Sequence, residues 1–318
     1  MKKAVASLLA VLIMWSLALA GCGSPRQEQA GGETGLKVLA VESFLADIAQ
    51  NVAGDRVKVD TLLPLGLDPH AYEPTPRDVS RIAECQALIV NGAGFEDWLT
   101  ETINSAGGQR VIIEASAGLT SRAAREGEAL YAGQGETPEE HPQGDPHFWL
   151  NPLHVIRYVE NIRDGLTALD PAGKETYSQN AARYTAQLQE LDAWIEAQVN
   201  TLPPEKRLIV TNHESFGYFA DRYGFRIIGT IIPSVSTGSA PSAQQMARLV
   251  DAIRAAGAAA VFLETGADPK LAEQIAAETG VKVVDNLYTH SLTGPEGGAP
   301  TYIEMMKANT RAIVEALK

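Results

Sequence analysis

Four of the six histidines stand in short loops beside stiff or strand-like sequence. His70 lies in "LPLGLDPHAYEPTPRD", with Pro69, Pro74 and Pro76 around it. His147 lies in "GDPHFWLNP", again after an Asp-Pro pair. His213 sits in "LIVTNHESFGYFA", where an apolar run turns towards a helix. His290 sits in "LYTHSLTG", just past the apolar run "VKVV" at 281–284. One such ring alone reads as solvated, or as bonded to a nearby carbonyl. The set of four points to a metal. Neutral imidazole suits Zn2+, and also Cu, Ni and Fe. Four ring nitrogens at about 2.0–2.1 Å close a tetrahedral zinc shell and leave no position for an activated water. The other two histidines differ. His154 lies next to Val155 on the apolar stripe of a helix and reads as structural. His141 stands among Glu136, Glu139 and Glu140, in a Gly- and Glu-rich stretch with little apolar content. That stretch is either a solvated acidic loop or a loop that captures metal.

These rings need elements to carry them. Strand-like runs occur at 36–41, 57–64, 87–92 and 110–116, each rich in Val, Ile or Leu, with helical periods after the first three. The plan recurs at 207–212, 225–232, 258–264 and 281–286. Such alternation predicts an α/β fold with mainly parallel sheets, about four βα units and then four more. Between the halves the sequence is helical. Asn151 and Pro152 read as an N-cap and first helical residue, followed by Val155, Val159, Ile162, Leu166 and Leu169. A longer helix then carries Tyr177, Ala181, Tyr184, Leu188, Leu191 and Ile195 and stops at Pro203-Pro204. From Gly173 to about Leu202 it spans roughly 45 Å at 1.5 Å per residue, long enough to run along both halves. Ligands in open α/β sheets bind outside the carboxyl ends of the strands, so two sheets facing each other would gather all four rings in one cleft. The expected divisions are a first lobe over 36–170, a connecting helix over 171–203 and a second lobe over 204–318.

The N-terminus, "MKKAVASLLAVLIMWSLALAGCGS", has the charge, apolar, small-residue order of a secretory signal over 1–21. Within it "LAGC" resembles the lipobox of bacterial lipoproteins, which makes Cys22 the lipid-attachment residue and the first residue of the mature chain. A membrane-spanning anchor is the alternative, but the apolar run from Ala4 to Ala20 is marginal for spanning. Residues 22–35 read as a flexible spacer. Loss of residues 1–21 takes two lysines from 26 basic residues set against 39 acidic ones, so the net charge moves from −13 to −15. An acidic chain with no basic cluster excludes nucleic acid as a partner and does not repel a cation. With Cys22 acylated, Cys85 has no disulfide partner and is expected to be buried as a small apolar residue.

Several of these segments, taken in order, carry a resemblance. "DPHAYEPTP", "DPHFWLNP", "TNHESFGYFADRYG", "DPKLAEQIAAETGVKV" and "SLTGPEGGAPTYIEMMKANTRAIVEAL" resemble the metal-binding solute-binding proteins of bacterial zinc and manganese ABC importers, over roughly residues 36–318. The resemblance implies two (β/α)4 lobes joined by a long rigid helix, with the metal between them. It implies His70, His147 and His213 as ligands. Its manganese members tend to carry glutamate at the third position, so His213 leans towards Zn2+, with Mn2+ or ferrous iron as the alternative cargo. The fourth position is usually an aspartate and is His290 here, and Asn151 stands where the family has aspartate. Glu214 and Asp285 are the carboxylates expected to act as supporting partner or alternative ligand. The implied partners are a membrane permease and its cytoplasmic ATPase. The protein itself is expected to be a monomer, tethered outside the cytoplasmic membrane through Cys22. A secreted zinc hydrolase is the rival from another class, but the helical His-Glu-x-x-His arrangement is absent.

Overall fold

Short runs of Val, Ile, Leu and Ala with no polar alternation form inner strands hidden on both faces, as a parallel sheet covered by helices requires. The computed structural model describes residues 35–122, 144–238 and 240–318. The expected lipid-attachment residue Cys22 and the loop residue His141 lie outside the described residues. In the first half the strands are β1 (Val38–Ala40), β2 (Val59–Thr61), β3 (Ala87–Val90) and β4 (Val111–Glu114), hydrogen-bonded in the order β2-β1-β3-β4. In the second half β5 (Leu208–Thr211), β6 (Arg226–Thr230), β7 (Ala260–Glu264) and β8 (Lys282–Leu287) repeat that topology as β6-β5-β7-β8. The strands pair in parallel in both sheets. The inner strands β1, β3, β5 and β7 are buried along their whole length, while the edge strands β4 and β8 are largely exposed. Each of the eight apolar runs has thus become a strand, the first seven shortened and the last shifted by one residue to end at Leu287.

Nine α-helices are seen among the described residues: α1 (Ser43–Ala53), α2 (Pro76–Glu84), α3 (Leu99–Ala106), α4 (Pro152–Leu169), α5 (Lys174–Val199), α6 (Gly217–Tyr223), α7 (Ala243–Ala256), α8 (Lys270–Thr279) and α9 (Tyr302–Leu317). The Asn151 side chain accepts from the Leu153 N–H at 3.0 Å and Pro152 opens α4, so asparagine keeps the capping role. Two helices start later than the helical periods of the sequence, "FEDWLTETINSAGG" from Phe95 and "ESFGYFADRYG" from Glu214, suggest. Glu96 accepts from the N–H groups of Asn91 and Gly92, which holds the chain in turns until Leu99. Glu214 and Ser215 donate to Ser234 and His213 carbonyls instead of opening a helix, so α6 begins at Gly217. Among the described residues no helix is long and apolar enough to cross a membrane.

The long helix α5 has 26 residues, about 39 Å. Its buried stripe runs through Tyr177, Ala181, Tyr184, Leu188, Leu191, Ile195 and Val199. It packs on α1 and α4 from the first half and on α6 and α9 from the second. The core around it is continuous, from Phe44 and Val155 through Leu188 to Phe219, Phe262 and Met306. Two smaller clusters fill the outer faces of the sheets. Cys85 belongs to one of them, buried and free of any disulfide, its Sγ–H 3.2 Å from the Ile82 carbonyl. Polar ties also join the halves: Trp149 Nε1 donates to Thr289 O at 2.8 Å, the Tyr302 hydroxyl to Trp149 O at 2.6 Å, and Tyr302 N–H to Asp47 Oδ2 at 2.9 Å.

Candidate metal centre

Each sheet reverses its strand order beside its first strand. β5, for example, has β6 on one side and β7 on the other. The crevice at the carboxyl ends of such a pair is where α/β sheets receive ligands. His213 follows β5 by two residues, and Glu264 is the last residue of β7. His290 comes three residues after β8. His70 lies on the loop between β2 and α2, and His147 directly precedes the tight turn Phe148–Leu150 that leads to α4.

The four rings converge. One ligand atom from each of His70, His147, His213 and His290 lies within 4.8 Å of all the others. His147 is the hub: its Nε2 is 3.4 Å from that of His70, 3.2 Å from that of His213 and 3.5 Å from that of His290. Nitrogens bound tetrahedrally at about 2.0–2.1 Å stand about 3.3 Å apart, so these separations fit one small ion. His147, His213 and His290 are buried and His70 is half-buried. Phe95 lies edge-on to His70 and His147, with ring centroids 4.8 and 5.8 Å away, and screens this side from water.

Each ring is held by local structure. The Asp-Pro before His70 forms a turn in which Asp68 Oδ1 accepts from the His70 N–H at 2.9 Å. The other oxygen of Asp68 accepts from the Thr237 hydroxyl at 2.5 Å, and Gly66 N–H donates to Ser291 Oγ at 2.8 Å. The His70 loop is thereby tied to the second half at two points. Trp98 Nε1 supports it from below through Pro69 O at 2.9 Å. Asp145 repeats the turn before His147: its Oδ1 lies 2.9 Å from both the backbone N and the ring Nδ1 of His147. The carboxylate facing the other two rings is Glu264. Its Oε1 lies against Nδ1 of His213, and its Oε2 is 3.3 Å from Nδ1 of His290.

Sequence reasoning did not single out Glu264, and the carboxylates it favoured occupy other places. Asp285 is exposed within β8, and Glu214 is half-buried in the turn after His213; neither is among the converging donors. A usable signal existed: an acid ending the otherwise apolar run "AAAVFLE" of an inner strand points into the crevice. His154 is also outside the cluster, packed edge-on against Phe148 and Tyr218 at 5.9 and 5.2 Å.

The electrostatics follow from burial and from these contacts. Burial, reinforced by His213, His70 and His290, holds the His147 ring well below its ordinary value, and burial also lowers His290. Both are thus neutral donors at neutral pH. Burial pushes His213 the same way, but Glu264 outweighs it and the ring ends up above its ordinary value. Burial would raise Glu264; the adjacent His213 and His290 reverse that and hold it at about 2. Burial raises Asp145 to about 7. A cavity of about 430 Å³ borders His290 and Glu264, with Asp68, Thr237 and Asp268 also in its walls. Of the four converging rings only His290 lines it.

Comparison with known proteins bears on this geometry. The family model described as zinc-uptake complex component A, periplasmic, matches residues 38–316. The chain is 34% identical over 317 residues to the manganese-binding lipoprotein MntA of Halalkalibacterium halodurans, covering 100% of this chain and 99% of that protein. Among solved structures it is similar to a manganese-bound periplasmic metal binding protein from Candidatus Liberibacter asiaticus, with a TM-score of 0.76 and 27% identity over 89% of this chain and 100% of that one. It is similar to the periplasmic zinc binding protein TroA from Treponema pallidum, with a TM-score of 0.76 and 26% identity over 89% of this chain and 99% of that one.

Proposed function

Since the chain belongs to the family of periplasmic component A proteins of zinc-uptake complexes, we propose that His70, His147, His213 and His290 capture a divalent transition-metal ion and that the protein delivers it to an importer. The chain is a substrate-binding protein of a metal ABC transporter. The convergence of four ring nitrogens from separate loops carries the proposal. The partners are a permease and the cytoplasmic ATPase that drives it. Anchoring through Cys22 on the outer side of the cell membrane is part of the same proposal, supported by "LAGC" and by the lipoprotein name of the H. halodurans relative. The metal is cargo, bound and released unchanged. A shell closed by four nitrogens has no position for an activated water. Hydrolytic turnover by the zinc-loaded protein, lost in His213→Ala, would overturn this reading.

The names of the relatives favour manganese over the zinc expected from the sequence. The H. halodurans protein is named for manganese, and the Liberibacter structure is manganese-bound. We therefore take manganese as the first cargo. Zinc is the second reading, favoured by one observation: the converging donors are all nitrogen, whereas Mn2+ prefers oxygen. Most sites with such donors bind zinc more tightly than manganese in any case, and metal supply then decides what is carried. Metal analysis of protein purified from its host separates the two: manganese supports the first reading and zinc the second. In a competition titration His290→Asp, which adds an oxygen donor and a charge, is expected to raise manganese affinity relative to zinc. An unchanged ratio would remove His290 from the ligand set.

The raised pKa of His213 gives a pH dependence. In the metal-free protein this ring keeps its proton to a higher pH than an ordinary imidazole, whose value is about 6.5. Binding must displace that proton. Affinity is therefore full at higher pH and declines as pH falls through the raised value, beginning above about 6.5. Calorimetry in buffers of different ionisation enthalpy is expected to show proton release on loading near pH 7 that fades towards higher pH.

A further inference from the structure

We propose that Glu264 is a positioning residue that fixes the tautomers of two ligands at once, His213 and His290. This deepens the metal-binding reading and rests on its ligand set. The two histidines come from different loops, one after β5 and one after β8. Glu264 ends the strand between them in the sheet, with only 7% of its surface exposed. One carboxylate oxygen lies against Nδ1 of His213 and the other is 3.3 Å from Nδ1 of His290. The opposite nitrogens, Nε2, then face the centre, 3.2 and 3.5 Å from Nε2 of His147.

A neutral imidazole has one N–H and one lone pair, and the hydrogen bond made by the far nitrogen decides which is which. A carboxylate only accepts, through two oxygens. Set between the two rings, it is the acceptor that would take Nδ1–H from both together and leave both Nε2 lone pairs for the ion. No neutral side chain of that shape does the same. Glutamine has one accepting oxygen and a donating NH2. One ring facing the NH2 must then offer Nδ1 as acceptor, which turns its Nε2–H towards the ion. Asp145 serves the single ring of His147, whereas Glu264 reaches two of the rings through one side chain.

The test uses the whole protein, with zinc alone as probe. Glu264→Gln is expected to weaken zinc binding about 10- to 100-fold. Nitrogen-15 NMR of the metal-free proteins, at a pH where the rings are neutral, is expected to show His213 and His290 both as Nδ1–H in wild type and one of them as Nε2–H in the variant. Glu264→Asp, which keeps two acceptors, is expected to restore part of the affinity. Wild-type zinc affinity in Glu264→Gln, alongside loss in His213→Ala, overturns this proposal and leaves the ligand set intact. Weakened binding with both rings still Nδ1–H overturns it too, because that marks a merely structural effect. Undiminished binding in both His213→Ala and His290→Ala would instead overturn the ligand set. If Glu264→Gln fails to fold, the wild-type spectrum decides alone: either ring found as Nε2–H in the metal-free protein overturns the proposal.

Discussion

Replacing His147 by alanine lowers metal affinity roughly 100- to 1,000-fold, the largest loss expected from any single change at the site. Apparent binding energies of four-ligand zinc sites are about 10–16 kcal/mol, so one ligand accounts for about 3–4 kcal/mol, and each 1.4 kcal/mol is tenfold. His147 should lie at the upper end. Its Nε2 is close to the other three, at 3.4, 3.2 and 3.5 Å, so its loss leaves a gap in the middle of the donor set. Burial keeps its ring neutral, so the native protein has no protonation cost to recover there. Competition with a chromophoric chelator measures the loss. His154→Ala is the matched control, since that ring packs against Phe148 and Tyr218 outside the cluster, and its affinity should not change. A His147→Ala protein that binds within a few-fold of wild type would remove this residue from the ligand set.

Replacing Trp149 by alanine costs about 3–5 kcal/mol of stability, the range for emptying a large aromatic site in a core. The ring is fully buried, stacked on Phe44 at 4.5 Å and set against Phe95 at 4.7 Å. Its Nε1–H satisfies the Thr289 carbonyl in the other half. Truncation therefore leaves a cavity and an orphaned buried carbonyl together. For a chain of this size the melting temperature should fall on the order of 10 °C. Denaturant titration of the metal-free protein checks the energy; a midpoint within experimental error of wild type would contradict it. Metal binding should weaken as well, since Trp149 lies two residues beyond His147 and its bond to Thr289 is beside His290.

The fold was legible because its signals are local. "ALIVNG" and "RLIVTN" are apolar without alternation, and both became inner strands. The stripe from Tyr177 to Ile195 lies on the buried face of α5. What failed was also local in cause: turns at 91–98 and 213–216 shorten the following helices through side-chain and loop hydrogen bonds that no periodicity encodes. The histidines were legible as a set because four rings share one setting, a loop past a strand or beside proline. Glu264 was not. It is 51 residues from His213 and 26 from His290, and only the strand order, with β7 between β5 and β8, brings it to both rings. Glu214 is adjacent to His213 in sequence and drew attention for that reason. Adjacency along the chain placed it in a turn instead, its N–H spent on Ser234.

The His70 loop is tied to the second half by two hydrogen bonds, Asp68 with Thr237 and Gly66 with Ser291. The Gly66–Ser291 bond is worth about 1 kcal/mol net and the Asp68–Thr237 bond, to a carboxylate, about 1.5–3 kcal/mol. The core beneath, by contrast, runs unbroken through both halves around α5. Local opening of the rim is therefore far less costly than bending the body. Under the proposed function residence time becomes a separately adjustable quantity: a change at Thr237, which loosens the tie to Asp68, is expected to shorten how long cargo stays.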